Sequence, residues 1–259
     1  MKSKLLAALL VIIPLVGVIA QDLSESPRHQ EWVDFTRDNG TILKAFVVYP
    51  ESEKPTKSVI VIHENRGLND WARSFADELA GKGYLVIAPD IISNTVAGIE
   101  KTTDFPDSDT AREAIYALDA EQVTKDLHMV YEHVKNDSSS TGEVSVAGFC
   151  WGGSQTFRYA TNNPDLENAF VFYGTGPKEA ATYSTIQTPV YGFYGGSDNR
   201  VNATVPDSEA IMKEAGKQFE YEIYDGAGHA FMRKGAEETE GPNKKAHDKA
   251  WARLLNILK

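Results

Sequence analysis

The chain has 259 residues, 26 basic against 37 acidic side chains, a net charge of -11 at pH 7, and 42% hydrophobic and 24% charged residues. This balance suits a soluble globular chain of one or two domains and speaks against disordered, collagen-like and coiled-coil classes. Phosphate recognition needs a basic face, so nucleic acid is an unsuitable partner, and an anionic membrane surface would repel the chain for the same reason. With Cys150 as its one cysteine, the chain can form neither an intramolecular disulfide nor a cysteine-based zinc site.

Lys2 and Lys4 precede a run of 16 uncharged residues from Leu5 to Ala20, which closes on Val18-Ile19-Ala20 before Gln21. A basic start, an apolar stretch and a small terminal residue form a secretory signal peptide, expected over residues 1–20. The run contains Pro14 and Gly17 and falls short of the roughly 20 residues that span a bilayer. No stable membrane insertion is therefore expected after cleavage; an uncleaved N-terminal anchor is the alternative. No cysteine near residue 20 could carry a lipoprotein anchor. Cleavage removes two lysines, leaving 24 basic against 37 acidic residues and a net charge of -13 over 239 residues. The expected product is exported, periplasmic or secreted. Asn39, Asn136 and Asn202 each open an Asn-x-Ser/Thr triplet, which matters only in a glycosylating host.

From about residue 41 the chain alternates apolar runs with amphipathic ones. Strands are expected over 41–49, 58–63, 84–88, 143–149, 169–173, 190–194 and 219–224. The middle five are continuously apolar, the pattern of parallel strands covered on both faces. A helix is expected over 71–80, capped by Asn69 or Asp70 and ended by Gly81 and Gly83. Another runs from a cap at Asp107 or Asp109 to about residue 135, and others cover 152–160, 208–217 and 244–258. Repeated strand–helix units with short connectors define an α/β fold: a mostly parallel, doubly wound sheet flanked by helices. No linker or internal repeat interrupts residues 21–259, so a single domain is expected. The longest irregular stretch, 91–106, reads equally as a lid or pocket wall and as a plain surface loop.

Several strand ends carry chemistry. The run Gly148-Phe-Cys150-Trp-Gly152-Gly153 lies between a buried strand and a helix and fits the nucleophile-elbow pattern, with Cys where Ser is usual. Side chains at Gly148 and Gly152 would collide across so sharp a turn. The turn leaves the thiol at the C-terminal edge of the sheet and at a helix N-terminus, which favours thiolate. It also aims the N–H of Trp151 at a developing oxyanion. Taken alone, the pattern fits a small buried core cysteine equally well. Asp198 follows the strand 190–194 through Gly195-Gly-Ser, and His229 follows the strand 219–224 through Gly226-Ala-Gly. An acid and a base thus each stand past a strand end, where open α/β sheets place their sites. The chain order of nucleophile, acid and base is that of α/β hydrolases. His229 is then the base and Asp198 the carboxylate that orients it. The strand end Val59-Ile-Val-Ile-His-Glu64-Asn65 supplies the second oxyanion donor, the N–H of Asn65. His63-Glu64 does not open a zinc-protease motif, because position 67 is Gly. His128 and His133 are five residues apart, off the spacing that puts two ligands on one helical face, so no metal site is expected.

Together these residues resemble the dienelactone hydrolase (carboxymethylenebutenolidase-like) family of the α/β-hydrolase superfamily, over about residues 32–258. The segments that carry the resemblance are those of Glu64, Gly-Phe-Cys150-Trp-Gly-Gly, Gly-Ser-Asp198 and Gly-His229-Ala-Phe. The resemblance implies the α/β-hydrolase fold, a Cys150–His229–Asp198 triad and hydrolysis of a small ester or lactone without a cofactor. It also implies that Glu64 contacts the resting thiol and gives way when substrate binds. It further implies that a substrate carboxylate is held by Arg233, four residues after His229, and by Arg112 with Tyr116 one turn later. Arg66, where the family often has an apolar residue, and Ala230, where a small hydroxyl residue is frequent, depart from the pattern beside the pocket.

The expected activity is cleavage of a carboxylic ester or enol-lactone through an acyl-thioester on Cys150, in a protein taken as monomeric. A general carboxylesterase of unrelated small esters is the near alternative. A redox-sensing thiol protein is a second; it would need neither Asp198 nor His229 in that order, and the chain has no resolving cysteine. A non-catalytic binding protein on the same scaffold is the third.

Overall fold

The computed structural model describes residues 23–259; the expected signal peptide at 1–20 lies outside the described residues. The strands are β1 Gln30–Thr36, β2 Ile42–Val48, β3 Thr56–Ile62, β4 Leu85–Asp90, β5 Ser140–Phe149, β6 Ala169–Phe172, β7 Val190–Gly195 and β8 Phe219–Tyr224. The helices are α1 Asp70–Ala80, α2 Ser108–Tyr116, α3 Ala120–Lys135, α4 Trp151–Ala160, α5 Asn199–Asn202, α6 Val205–Glu214, α7 Phe231–Glu237 and α8 Pro242–Leu258. The strands form one sheet in the order β1-β2-β4-β3-β5-β6-β7-β8. β2 pairs antiparallel with both β1 and β4, and every other neighbouring pair is parallel.

The central strands read as unbroken apolar runs because both faces are covered. Along β3, Val59 and Val61 enter one apolar layer while Ile60 and Ile62 enter the other, and all four are fully buried. Residues of α1, α7 and α8 complete the first layer, and residues of α3, α4 and α6 complete the second. This is the doubly wound, mostly parallel sheet expected from the sequence.

Besides the four-residue α5, which lies outside every expected helix, three elements differ from expectation. β1 is an edge strand whose residues are all exposed or half-buried, so no apolar run announces it. The single helix expected to end near 135 is two helices. Asp119 turns its carboxylate to the N–H of Gln122 at 2.8 Å and caps α3, which ends α2 at Tyr116. α7 starts from Ala230, which has a left-handed φ of 61° and no side-chain cap, and so carries no start signal.

Three buried carboxylates tie the periphery down. Asp126 on α3 receives Arg37 at 2.8–3.0 Å, and the same guanidinium donates to the carbonyls of Ile91 and Ser93. Asp77, in the last turn of α1, accepts from Ser26 at 2.6 Å, Gln30 at 2.9 Å and Arg28 Nε at 3.0 Å. Asp90 accepts from the N–H and hydroxyl of Thr102 at 2.6 and 2.7 Å, and that hydroxyl accepts from the N–H of Leu68. The stretch 91–106 is therefore fastened to the segment that follows Glu64. Burial pushes the pKa of Asp90 up to about 6.

Candidate active site

The ends of β3, β5, β6, β7 and β8 share one edge of the sheet, as parallel strands must. Cys150 joins β5 to α4 with φ 55° and ψ -114°. Tyr173, just past β6, has φ 40°, and Ala230, just past His229, has φ 61°. Among the described residues only Asn94 is a further non-glycine with positive φ. Such conformations cost about 1–3 kcal/mol each and persist where the surrounding structure over-determines them. The glycines show how tight the turns are. A Cβ at Gly148 would lie 2.2 Å from the carbonyl oxygen of Gly152, and one at Gly195 would lie 2.6 Å from that of Gly228. A Cβ at Gly152 would lie 2.3 Å from the His63 oxygen and 2.4 Å from that of Ile62.

These turns bring three side chains into line. Cys150 Sγ lies 3.1 Å from His229 Nε2, and His229 Nδ1 lies 2.5 Å from Asp198 Oδ2. Asp198 is 7% exposed and its other oxygen accepts from the N–H of Val201 at the start of α5. A carboxylate can only accept, so Nδ1 carries the imidazole proton and Nε2 faces the thiol as a base. The backbone N–H groups of Trp151 and Asn65 both face Sγ and favour its thiolate form. Burial raises the thiol pKa above its ordinary value, and the Glu64 charge raises it further. The two N–H groups and the Arg200 cation pull it down without cancelling that rise.

Glu64 is 4% exposed and held from two sides: Tyr173 donates its hydroxyl at 3.1 Å and Arg233 its Nε at 2.9 Å. Tyr173 is fully buried, and burial with the adjacent Glu64 charge keeps its phenol protonated. Its ring meets His229 edge-on at 5.1 Å. The thiol opens onto a cavity of about 180 Å³ lined by Tyr116, Trp151, Tyr173, Thr175 and Arg200 among others. A second cavity, about 450 Å³, lies beyond Arg233 and includes Arg66, Trp71 and Phe105. A further one of about 460 Å³ between β8 and α8 contains none of Cys150, Asp198 and His229.

A family model described as the dienelactone hydrolase family matches residues 43–259. The chain belongs to the dienelactone hydrolase family. Proteins of Saccharolobus solfataricus and Escherichia coli K12, both provisionally named carboxymethylenebutenolidase, are among its relatives. The first is 30% identical over 256 residues, 87% of this chain and 96% of its own; the second is 29% identical over 260 residues, 95% and 93%. The crystal structure of a Klebsiella pneumoniae protein provisionally named dienelactone hydrolase superposes with TM-score 0.77 at 25% identity, covering 89% of this chain and 98% of that one. The sheet and its helices are thus the α/β-hydrolase architecture of this family, a hydrolase family acting on small esters or lactones.

Most of the expected residues lie at this edge. Cys150, His229, Asp198, Glu64, Trp151, Asn65 and Arg233 converge there. Tyr116, at the exposed end of α2, lines the thiol cavity and accepts a hydrogen bond from the Asn65 side chain at 3.2 Å. Arg112, one turn before Tyr116, does not join them: it is half-exposed, pairs with Asp109 at 3.5 Å, and lines neither cavity at the site. The contact between Glu64 and the thiol that the family resemblance implied is also not made. A guanidinium and a phenol are stronger donors than a thiol, and they occupy the two carboxylate oxygens while the thiol faces His229. Tyr173, Arg200 and His63 are additions from the structure. Among the described residues no group of three His, Cys, Asp or Glu side chains could hold a metal ion, and no helix is long and apolar enough to cross a membrane.

Proposed function

We propose that this protein hydrolyses small carboxylic esters or enol-lactones through a Cys150–His229–Asp198 triad and an acyl-thioester intermediate. The observation that carries this reading is the relay of 3.1 Å and 2.5 Å from Sγ to Asp198, set beneath the two N–H groups of Trp151 and Asn65. The thiol rests protonated. As Sγ attacks the carbonyl carbon, its proton passes to His229 Nε2 and Asp198 stabilises the imidazolium. The N–H groups of Trp151 and Asn65 hold the tetrahedral oxyanion. Collapse breaks the C–O bond, His229 returns the proton to the leaving oxygen, and the acyl group stays on sulfur. Water, deprotonated by His229, then attacks the thioester; the acid departs and Sγ recovers its proton. A thiolate is expelled in preference to an unprotonated amine, so esters and enol-lactones suit this site better than amides.

The test is hydrolysis of an activated aryl ester and of a dienelactone by the protein lacking residues 1–20. Cys150→Ala and His229→Ala are each expected to lower kcat by about 10³-fold or more. Wild-type rates in either variant would sink the assigned role. The reading includes export, supported by Lys2, Lys4 and the apolar run to Ala20. Sequencing the N-terminus of protein recovered from outside the cytosol tests it; an intact Met1 would count against cleavage.

A further inference from the structure

His63 immediately precedes Glu64, is completely buried and takes no part in the relay. Its ring has three defined neighbours. Nε2 lies 3.3 Å from the N–H of Ile91, which can only donate, so Nε2 accepts. Nδ1 lies 2.7 Å from the carbonyl oxygen of Glu64, which can only accept, so Nδ1 carries the proton. Both partners demand the same neutral tautomer. The ring face stacks on Trp151, with centroids 5.6 Å apart and planes within 15°.

The Glu64 carbonyl and the Asn65 N–H are opposite ends of one planar peptide group. Fixing the oxygen fixes the direction of the N–H, and that N–H is one of the two facing Sγ. Donation to the carbonyl also polarises the amide and strengthens its far end as a donor. The second donor is the N–H of Trp151, whose indole lies on the same imidazole. We infer that His63 is the positioning residue of the oxyanion hole: its Nδ1–H holds the Glu64–Asn65 peptide and its face seats Trp151, so one neutral ring sets both donors. This rests on the thiol-hydrolase reading above. Burial pushes the pKa of His63 down to about 4, so the strut stays uncharged at neutral pH.

The test compares wild type with His63→Phe, which keeps a ring but no donor, and His63→Asn, which restores an N–H near the Nδ1 position. Three readouts are taken: kcat and KM for an activated aryl ester, affinity for a trifluoromethyl ketone, and the rate of iodoacetamide alkylation. The ketone adds to Cys150 as a tetrahedral adduct that needs the hole, whereas alkylation forms no oxyanion there. His63→Phe is expected to lower kcat and ketone affinity together by about 10- to 100-fold, with KM and alkylation changed by no more than about threefold, and His63→Asn to recover most of the loss. Equal loss in all readouts, or undiminished ketone affinity in His63→Phe, would overturn the inference. If His63→Phe does not fold, the nitrogen-15 spectrum of wild type decides. A proton on Nδ1 at pH 7 is expected, and a proton on Nε2 or a charged ring overturns it. Wild-type ester hydrolysis by Cys150→Ala would remove the hydrolase reading alone and leave the tautomer result to judge the peptide contact.

Discussion

Replacing Gly152 by alanine would put a methyl carbon 2.3 Å from the His63 carbonyl oxygen and 2.4 Å from that of Ile62. Both are main-chain atoms, so neither can swing aside as a side chain would. Van der Waals contact begins near 3.4 Å, so α4 and the end of β3 must part by about 1.1 Å. The donors facing Sγ stand on either side of that contact, Trp151 on α4 and Asn65 on the chain leaving β3. A displacement of this size takes one N–H out of the roughly 2.7–3.1 Å range that an oxyanion requires, a loss that costs about 10²–10³-fold in kcat. Forcing extra volume into a packed site also costs about 1–3 kcal/mol of stability, or about 2–4 °C in Tm per kcal/mol for a domain of this size. Aryl-ester kinetics and thermal unfolding of Gly152→Ala measure both. Wild-type kcat with an unchanged Tm would refute the close approach and the geometry built on it.

Glu64→Gln removes a negative charge that opposes thiolate and frees the Arg233 cation beside it. The pH midpoint of iodoacetamide alkylation should therefore move down, and an unchanged or higher midpoint would contradict the assignment. Asp90 has its pKa raised to about 6, against about 3.9 in the unfolded chain, so the native state binds the extra proton between those values. Its contribution is present below about pH 4 and lost as pH rises to about 6, up to about 3 kcal/mol. Urea unfolding at pH 4.5 and 7 should show Asp90→Asn losing this pH dependence relative to wild type; parallel behaviour of the two would refute it. Arg37→Met strands Asp126, which is 1% exposed, and should cost about 3–5 kcal/mol. Adding Asp126→Leu should recover much of that, and a double mutant no more stable than the single would show that the ion pair is not the cause.

Much of this molecule is legible in its sequence because parallel strands announce themselves twice, as apolar runs and by the turns that end them. Gly148-Phe-Cys150 and Gly195-Gly-Ser-Asp198 are both such endings. β1 escapes because an edge strand that is only half-buried has no apolar run. The break before α3 was within reach, since Asp119 is an ordinary cap, but the amphipathic pattern on either side masks it. Tyr173 belongs to the same rule as Cys150, a residue just past a buried strand, yet tyrosine there reads as core until its φ of 40° aims the ring at His229. Arg112 differs for another reason: it stands one turn before Tyr116 on the same side of α2, displaced along the helix axis, and its guanidinium pairs with Asp109 instead of reaching the cavity that Tyr116 lines. His63 depends on a tautomer and two backbone partners past the ends of different strands, which no spacing encodes.

The cluster on Asp77 has a practical meaning. α1 begins at Asp70, capped by Asn69 a few residues from Glu64, and runs away from the thiol, so Asp77 in its last turn lies toward the opposite end of the sheet. Ser26, Arg28 and Gln30 are moored there. Whatever precedes Leu23 in the chain therefore joins the domain on the side remote from Cys150. A tag, a fused partner or a surface tether attached at that end would leave the mouth of the cavity turned outward and open to substrate.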